Sequence, residues 1–257
     1  MATHHTPGPL SLKVRIASGR CEIETADTDQ TTVEAEPLDG SEAARAAVDA
    51  LVEELRPRGD GHELAVEVPA LRRFRFMSVD GPVLVRIRAP HGTDVDARTA
   101  SAEVVVSGRA GDADVRTASG GVLLAHVGGR ATVKTASGRV VVRTLEGDGE
   151  LNAMSGNVLV GEARSSVSAH TMSGGVRLER AFSGQLDLRT MSAPIEVGIP
   201  QGVALYVDAN SASGEVRSEL PVSDTAPGRR ADLELRASSM SGDITLTRAP
   251  QAAAAGA

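Results

Sequence analysis

Eight serines are spaced as a row of hydroxyl nucleophiles or hydroxyl ligands would be: Ser101, Ser119, Ser137, Ser155, Ser173, Ser192, Ser213 and Ser241. The first four intervals are 18 residues each, followed by 19, 21 and 28. Serine catalysis needs one activated hydroxyl beside a base. No histidine recurs at a fixed distance from these serines. A hydroxyl repeated at a constant interval instead fits a stacked corner, in which each side chain bonds a backbone group of its own turn. The ladder is therefore expected to be structural.

Other residue types able to do chemistry are scattered. The six histidines (His4, His5, His62, His91, His126 and His170) lack zinc-ligand spacing, and the single Cys21 adds no partner. The carboxylate pairs Asp94/Asp96 and Asp112/Asp114 resemble those of β-helical polysaccharide enzymes, but the aromatics on which sugars stack are nearly absent: no Trp, one Tyr, three Phe. No catalytic residue, cofactor or metal site is expected. The formal charge of −7 is spread over interspersed acids and bases, which argues against a nucleic-acid footprint.

The elements that must carry these residues follow from the same period. A fixed interval of about 18 residues marks a solenoid, each repeat one layer stacked on the last. Before each serine runs a strand with Ala97, Val115, Val133, Leu151, Ala169 and Leu188 facing in. Its outward columns are Asp96, Asp114, Thr132, Glu150, Ser168, Asp187 and Arg98, Arg116, Lys134, Asn152, His170, Arg189. These two columns are expected to neutralise each other, except near Lys134 and His170, where Thr132 and Ser168 replace the acid. After each serine comes a strand with Val104, Val122, Val140, Val158 and Val176 facing in. Its outward column, Val105, Leu123, Val141 and Leu159, is equally apolar until Arg177 and Glu196.

The glycines after the serines (Gly120, Gly138, Gly156, Gly174, Gly214 and Gly242) are expected to take positive φ at a sharp corner. Ala102 and Ala193 break that pattern and predict local distortion. Ahead of the repeat, Leu10–Leu38 read as strands, with Ser18-Gly19 as a degenerate first layer. The apolar face Ala44, Ala47, Val48, Leu51, Val52 and Leu55 predicts a helix over 41–56, capped by Ser41 and ended by Pro57. Such a helix is as long as four layers are tall and is expected to cover the outward apolar column. Between later strands, Arg72, Arg73 and Arg75 flank Phe74 and Phe76. The division is thus an unstructured 1–9, N-terminal strands and helix over 10–93, solenoid over 94–248 and an unstructured Ala-rich 249–257.

The central T-x-[ST]-G-x-[VI]-x-[VI] repeat and the closing run GVALYVDANSASGEVRSEL…ADLELRASSMSGDITLTR resemble the DUF4097 adhesin-like β-strand repeat family, actinobacterial type. The resemblance spans nearly the whole chain. It implies a β-solenoid fold and neither an established reaction nor catalytic residues. The all-β, parallel β-solenoid fold with one amphipathic helix is thus expected from both arguments. The leading functional expectation is a non-enzymatic structural or protein-interaction module whose partner is an unknown protein or itself. Alternatives are a scaffold stacking end to end and a glycan-binding or glycan-processing β-helix. No nucleic acid or membrane segment is expected, and the absence of an export signal predicts a cytoplasmic location.

Overall fold

The computed structural model describes residues 2–69, 81–220 and 231–249, with backbone alone at 72–74 and 77–78. The Arg72–Phe76 side chains and the tail from 250 onward lie outside the described residues. In chain order the elements are β1 (Ala2–His5), β2 (Leu10–Ile16), β3 (Gly19–Ala26), β4 (Gln30–Pro37), α1 (Glu42–Asp49), β5 (Val52–Arg58), β6 (Gly61–Glu67), β7 (Arg72–Phe74), β8 (Met77–Ser78) and β9 (Val83–Pro90). The repeat follows as strand pairs: β10 (Asp94–Thr99) with β11 (Glu103–Ala110), β12 (Ala113–Thr117) with β13 (Val122–Val127), β14 (Ala131–Thr135) with β15 (Val140–Leu145), and β16 (Gly149–Ala153) with β17 (Val158–Ala163). Then come β18 (Val167–Thr171) with β19 (Val176–Ala181), β20 (Gly184–Thr190) with β21 (Ile195–Ile199), β22 (Leu205–Ser211) with β23 (Val216–Ser218), and β24 (Leu233–Ser239) with β25 (Ile244–Arg248).

Each pair is one layer, and the layers build two long sheets. One has twelve strands in the order β1-β4-β9-β3-β11-β13-β15-β17-β19-β21-β25-β23; the other has eleven, β22-β24-β20-β18-β16-β14-β12-β10-β2-β6-β5. Pairing is parallel through both stacks, with antiparallel strands only at the N-terminal end: β1 on β4, β4 on β9 and β5 on β6. Registers repeat at 18 residues, so Val115 lies beside Val133 and Val122 beside Val140. Stacking identical positions about 4.8 Å apart turns each inward column into a continuous aliphatic ridge. The two ridges merge into one core, in which Val115, Val133, Leu151, Val140 and Val142 are fully buried.

Several expectations are corrected. Residues 2–5 are strand β1 rather than unstructured. The degenerate layer at Ser18-Gly19 is a true layer: β2 pairs with β10 and β3 with β11, so the solenoid starts well before 94. The helix keeps its Ser41 cap, which accepts a hydrogen bond from Ala44 N at 3.0 Å, but ends at Asp49. Val52–Arg58 instead forms a hairpin with β6, because pairing with a long neighbouring strand outweighs a short helical extension. Pro57 thus sits in an edge strand, where its missing N–H costs nothing. At eight residues, α1 cannot shield four layers, and it packs on β4 and β9 at the end of the stack.

The corner glycines are corrected too. None of the six takes positive φ; among the described residues that conformation occurs at Gly8, Gly19, Gly59, Gly92, Gly108, Gly184 and Gly202. Glycine is required for close approach instead. A Cβ on Gly138 would collide with the carbonyl oxygen of Gly120 in the preceding layer, and one on Gly156 with that of Gly138. Ala102 and Ala193 cause no break, since the flanking strands keep their register through both corners.

Candidate functional site: two outer faces and a corner groove

The corner is built from three successive backbone needs. The threonine two residues before the serine turns inward and is buried, and Thr117 Oγ1 accepts from Gly120 N at 2.9 Å, as Thr135 Oγ1 does from Gly138 N. Ser211 and Ser239 take the same role for Gly214 and Gly242 at 3.0 and 2.8 Å. The ladder serines themselves point to solvent. They contribute backbone N–H groups, which donate to the carbonyl one layer back: Ser137 to Ala118 at 3.0 Å, Ser155 to Ala136 at 2.9 Å, Ser173 to Met154 at 3.0 Å. The turn-bonding hydroxyl is therefore the threonine rather than the serine, a correction to the stacked-corner expectation. Ser119, Ser137, Ser155, Ser173, Ser213 and Ser241 remain corner residues, each beside its glycine.

Beside this corner, where the central strands β10 to β18 of the eleven-stranded sheet end, runs a groove of about 630 Å3, lined among others by Arg98, Arg116, Lys134 and His170. Its cations are held by their own acids. Arg98 meets Asp96 at 3.3 Å and Arg116 meets Asp114 at 3.1 Å, and one layer beyond the groove Arg189 meets Asp187 at 2.8 Å. Lys134 and His170 are not the exceptions expected from Thr132 and Ser168. Lys134 Nζ reaches Glu150 in the next layer at 3.0 Å, and His170 Nε2 lies 4.0 Å from Asp187. The Lys134 ammonium holds the Glu150 carboxyl below the usual carboxylate range, and Asp114 raises the Arg116 guanidinium. This face is a lattice of local ion pairs with little net field.

The carboxylate pairs do not form an acid/base constellation. Asp94 Oδ1 accepts from Asp112 N and Asp112 Oδ1 from Arg130 N, both at 2.8 Å, so these acids close the second corner. Asp96 and Asp114 are engaged by arginines. Among the described residues no three of His, Cys, Asp or Glu gather closely enough to hold a metal ion. Burial pushes the Cys21 thiol up to about 12.

One feature escaped the sequence reading. Met154, Met172, Met191 and Met240 occupy four consecutive layers just before the ladder serines and are 42–57% exposed. The signal was present, since Met replaces Ala only in the TMS, AMS and SMS corners.

The outer face of the twelve-stranded sheet is different. Val105, Leu123, Val141 and Leu159 lie side by side in register, half-buried, and α1 is not over them. The column ends in an ion pair at both margins. Next to Val105 comes Glu22 and then Arg86, whose Nε lies 3.3 Å from Glu22 Oε2. Next to Leu159 come Arg177 and then Glu196, bonded to each other.

A two-sheet parallel β-solenoid with repeated Thr-x-Ser-Gly corners is the class these features define. The chain belongs to the Toastrack DUF4097 family, whose model matches residues 10–252. Within that family it is a structural β-solenoid module. The crystal structure of a "putative cell adhesion protein" from Clostridium sporogenes is similar at 10% identity, covering 94% of this chain and 93% of that chain. Its TM-score of 0.27 is too low to carry an argument. Comparison with curated proteins finds no match. Among the described residues no helix is long and apolar enough to cross a membrane.

Proposed function

We propose that this chain is a non-enzymatic interaction module that binds protein on the outer face of its twelve-stranded sheet. The observation that carries the reading is the stripe Val105-Leu123-Val141-Leu159, apolar and half-exposed where the fold itself needs nothing apolar. Core packing constrains only the inward columns; an outward apolar column adds nothing to stacking and marks a partner surface.

End-to-end stacking finds less support. The N-terminal end is closed by α1, with Ala44 and Ala47 buried against it, and by the short or charged edge strands β1 and β5. Among the described residues the other end presents the more exposed inward-facing side chains, Val207 at 39% and Val216 at 44% exposure. Open-ended growth needs two compatible ends.

A photo-cross-linking side chain at position 123, with position 132 on the opposite sheet as control, tests the reading in the source cells. Cross-links to protein are expected from 123 and not from 132. Equal yields from both positions, or none from 123, would discard the interaction face.

A further inference from the structure

We propose that the occupant of the stripe is a second copy of this chain, docked face to face and antiparallel along the solenoid axis. The inference rests on the stripe being a binding face, and it adds the partner and the geometry.

The argument is the order of charges along one column. At one margin the acid, Glu22, is next to the stripe and the base, Arg86, lies beyond it. At the other margin the order is inverted: the base, Arg177, is next to the stripe and the acid, Glu196, lies beyond. Place a two-fold axis along the strand direction, between Leu123 and Val141. Leu123 then faces Val141 of the other copy, and Val105 faces its Leu159. One step out, Glu22 faces Arg177; two steps out, Arg86 faces Glu196. Each contact occurs twice by symmetry, as an isologous interface requires. A parallel arrangement sets each of these charges against itself, which disfavours it.

One neighbouring column agrees, while the other sets Glu24 against Glu179, two like charges that weaken the contact. Gly121 and Arg139 lie in adjacent layers, with Val122 N bonded to Arg139 O. The same axis lays the Arg139 side chain of one copy over Gly121 of the other, where the Glu103 carboxylate stands 3.8 Å from the position a Gly121 Cβ would take. Sheets packed about 10 Å apart interdigitate side chains of this size. Six layers from Glu22 to Arg177 span about 24 Å. A single stripe of that length is a small interface, so the dimer is weak and reversible, with a dissociation constant on the order of 10 μM.

Sedimentation velocity from about 1 to about 500 μM, on two charge-swapped variants, tests the geometry. Variant one carries Arg177→Glu with Glu196→Arg; variant two carries Glu22→Arg with Arg86→Glu. Each keeps the net charge and the swapped pair itself and sets like charges across the proposed dimer; variant two also sets position 22 against Arg20 and position 86 against Glu36 within the chain, so its fold is checked by thermal melting first. Neither is expected to self-associate, with at least a ten-fold loss. Mixed together they are expected to form a heterodimer near wild-type strength, because each of the four margin charges again meets its opposite. Self-association of either variant at wild-type strength, or a mixture no better than its components, would overturn the antiparallel dimer. If variant two misfolds, Leu123→Asp replaces it, and dimerisation of that variant counts against the proposal equally. A wild-type chain that stays monomeric also overturns it. In that case cross-links from position 123 to a different protein would leave the binding face standing, and their absence would remove both.

Discussion

The two outer faces obey the same inner rule and share little else. On the eleven-stranded sheet, outward positions hold Asp-Arg pairs within a strand and a Lys-Glu pair between layers. On the twelve-stranded sheet, the matching positions of four layers hold Val and Leu. Inside, both present aliphatic columns that are fully buried. The comparison separates what stacking requires from what it leaves free. A ladder of identical layers dictates inward residues, corner glycines and buried threonines. It does not dictate the outside, so a difference there reflects use rather than folding.

The contrast can be broken most severely within one strand. Val142→Asp buries an unpaired carboxylate in the core and should cost about 4 kcal/mol or more, enough to lose the cooperative melt. Its neighbour Val141 faces out, and Val141→Asp should cost roughly 1 kcal/mol or less. Equal losses in thermal or urea unfolding would mean that the stripe is part of the core.

A smaller separation is expected at the corner. Gly138→Ala forces a methyl against the Gly120 carbonyl and should cost about 1–3 kcal/mol. Ser137→Ala, one residue away and solvent-facing, should change stability by no more than about 0.5 kcal/mol. Indistinguishable melting curves would show that the layers can separate enough to admit a side chain.

Next comes the double substitution Leu123→Asp with Val141→Asp. The fold should survive with a melting shift of a few degrees, about 2–4 °C per kcal/mol for a chain of this size, while association is lost. Thr132→Asp on the opposite sheet should alter neither. The smallest effect concerns Cys21, buried on β3 with its thiol pushed up to about 12. A thiol reagent at neutral pH should leave it unmodified in the native state and label it on unfolding. The unfolded thiol ionises first, so this group contributes nothing below the unfolded value near 9.0 and lowers stability as pH rises from there towards 12. Rapid native-state labelling would place Cys21 outside the core.

The fold was legible because stacking repeats the same demand every 18 residues, and a demand repeated seven times leaves an unmistakable column of Val, Leu and Ala. What was illegible arose where two demands call for one residue type. Glycine serves both positive φ and close approach, and only the neighbouring layer at Gly120 and Gly138 tells which applies. Leu55 satisfies a helical period and a strand period alike, and the choice is made by β6, a segment outside the window. The apolar stripe was visible as a column, but whether α1 covers it depends on where α1 ends. The Met154–Met240 row was overlooked because the corner was sorted by its small residues.

The position of β22 and β23 carries a consequence for synthesis. They leave the ribosome before β24 and β25, yet they end up outside them: β24 lies between β20 and β22, and β25 between β21 and β23. A nascent chain that has reached residue 220 offers β22 and β23 only the edges of β20 and β21, and the alternation in β22 matches that of β24. Any early docking there has to be undone, with the outer layer stepping away to admit its successor. The last layer to be translated is thus the penultimate one in space. A chain with residues 203–219 excised would skip the rearrangement and still close its stack with β24 and β25, whereas a chain stopped at 220 would keep the wrong layer in that seat.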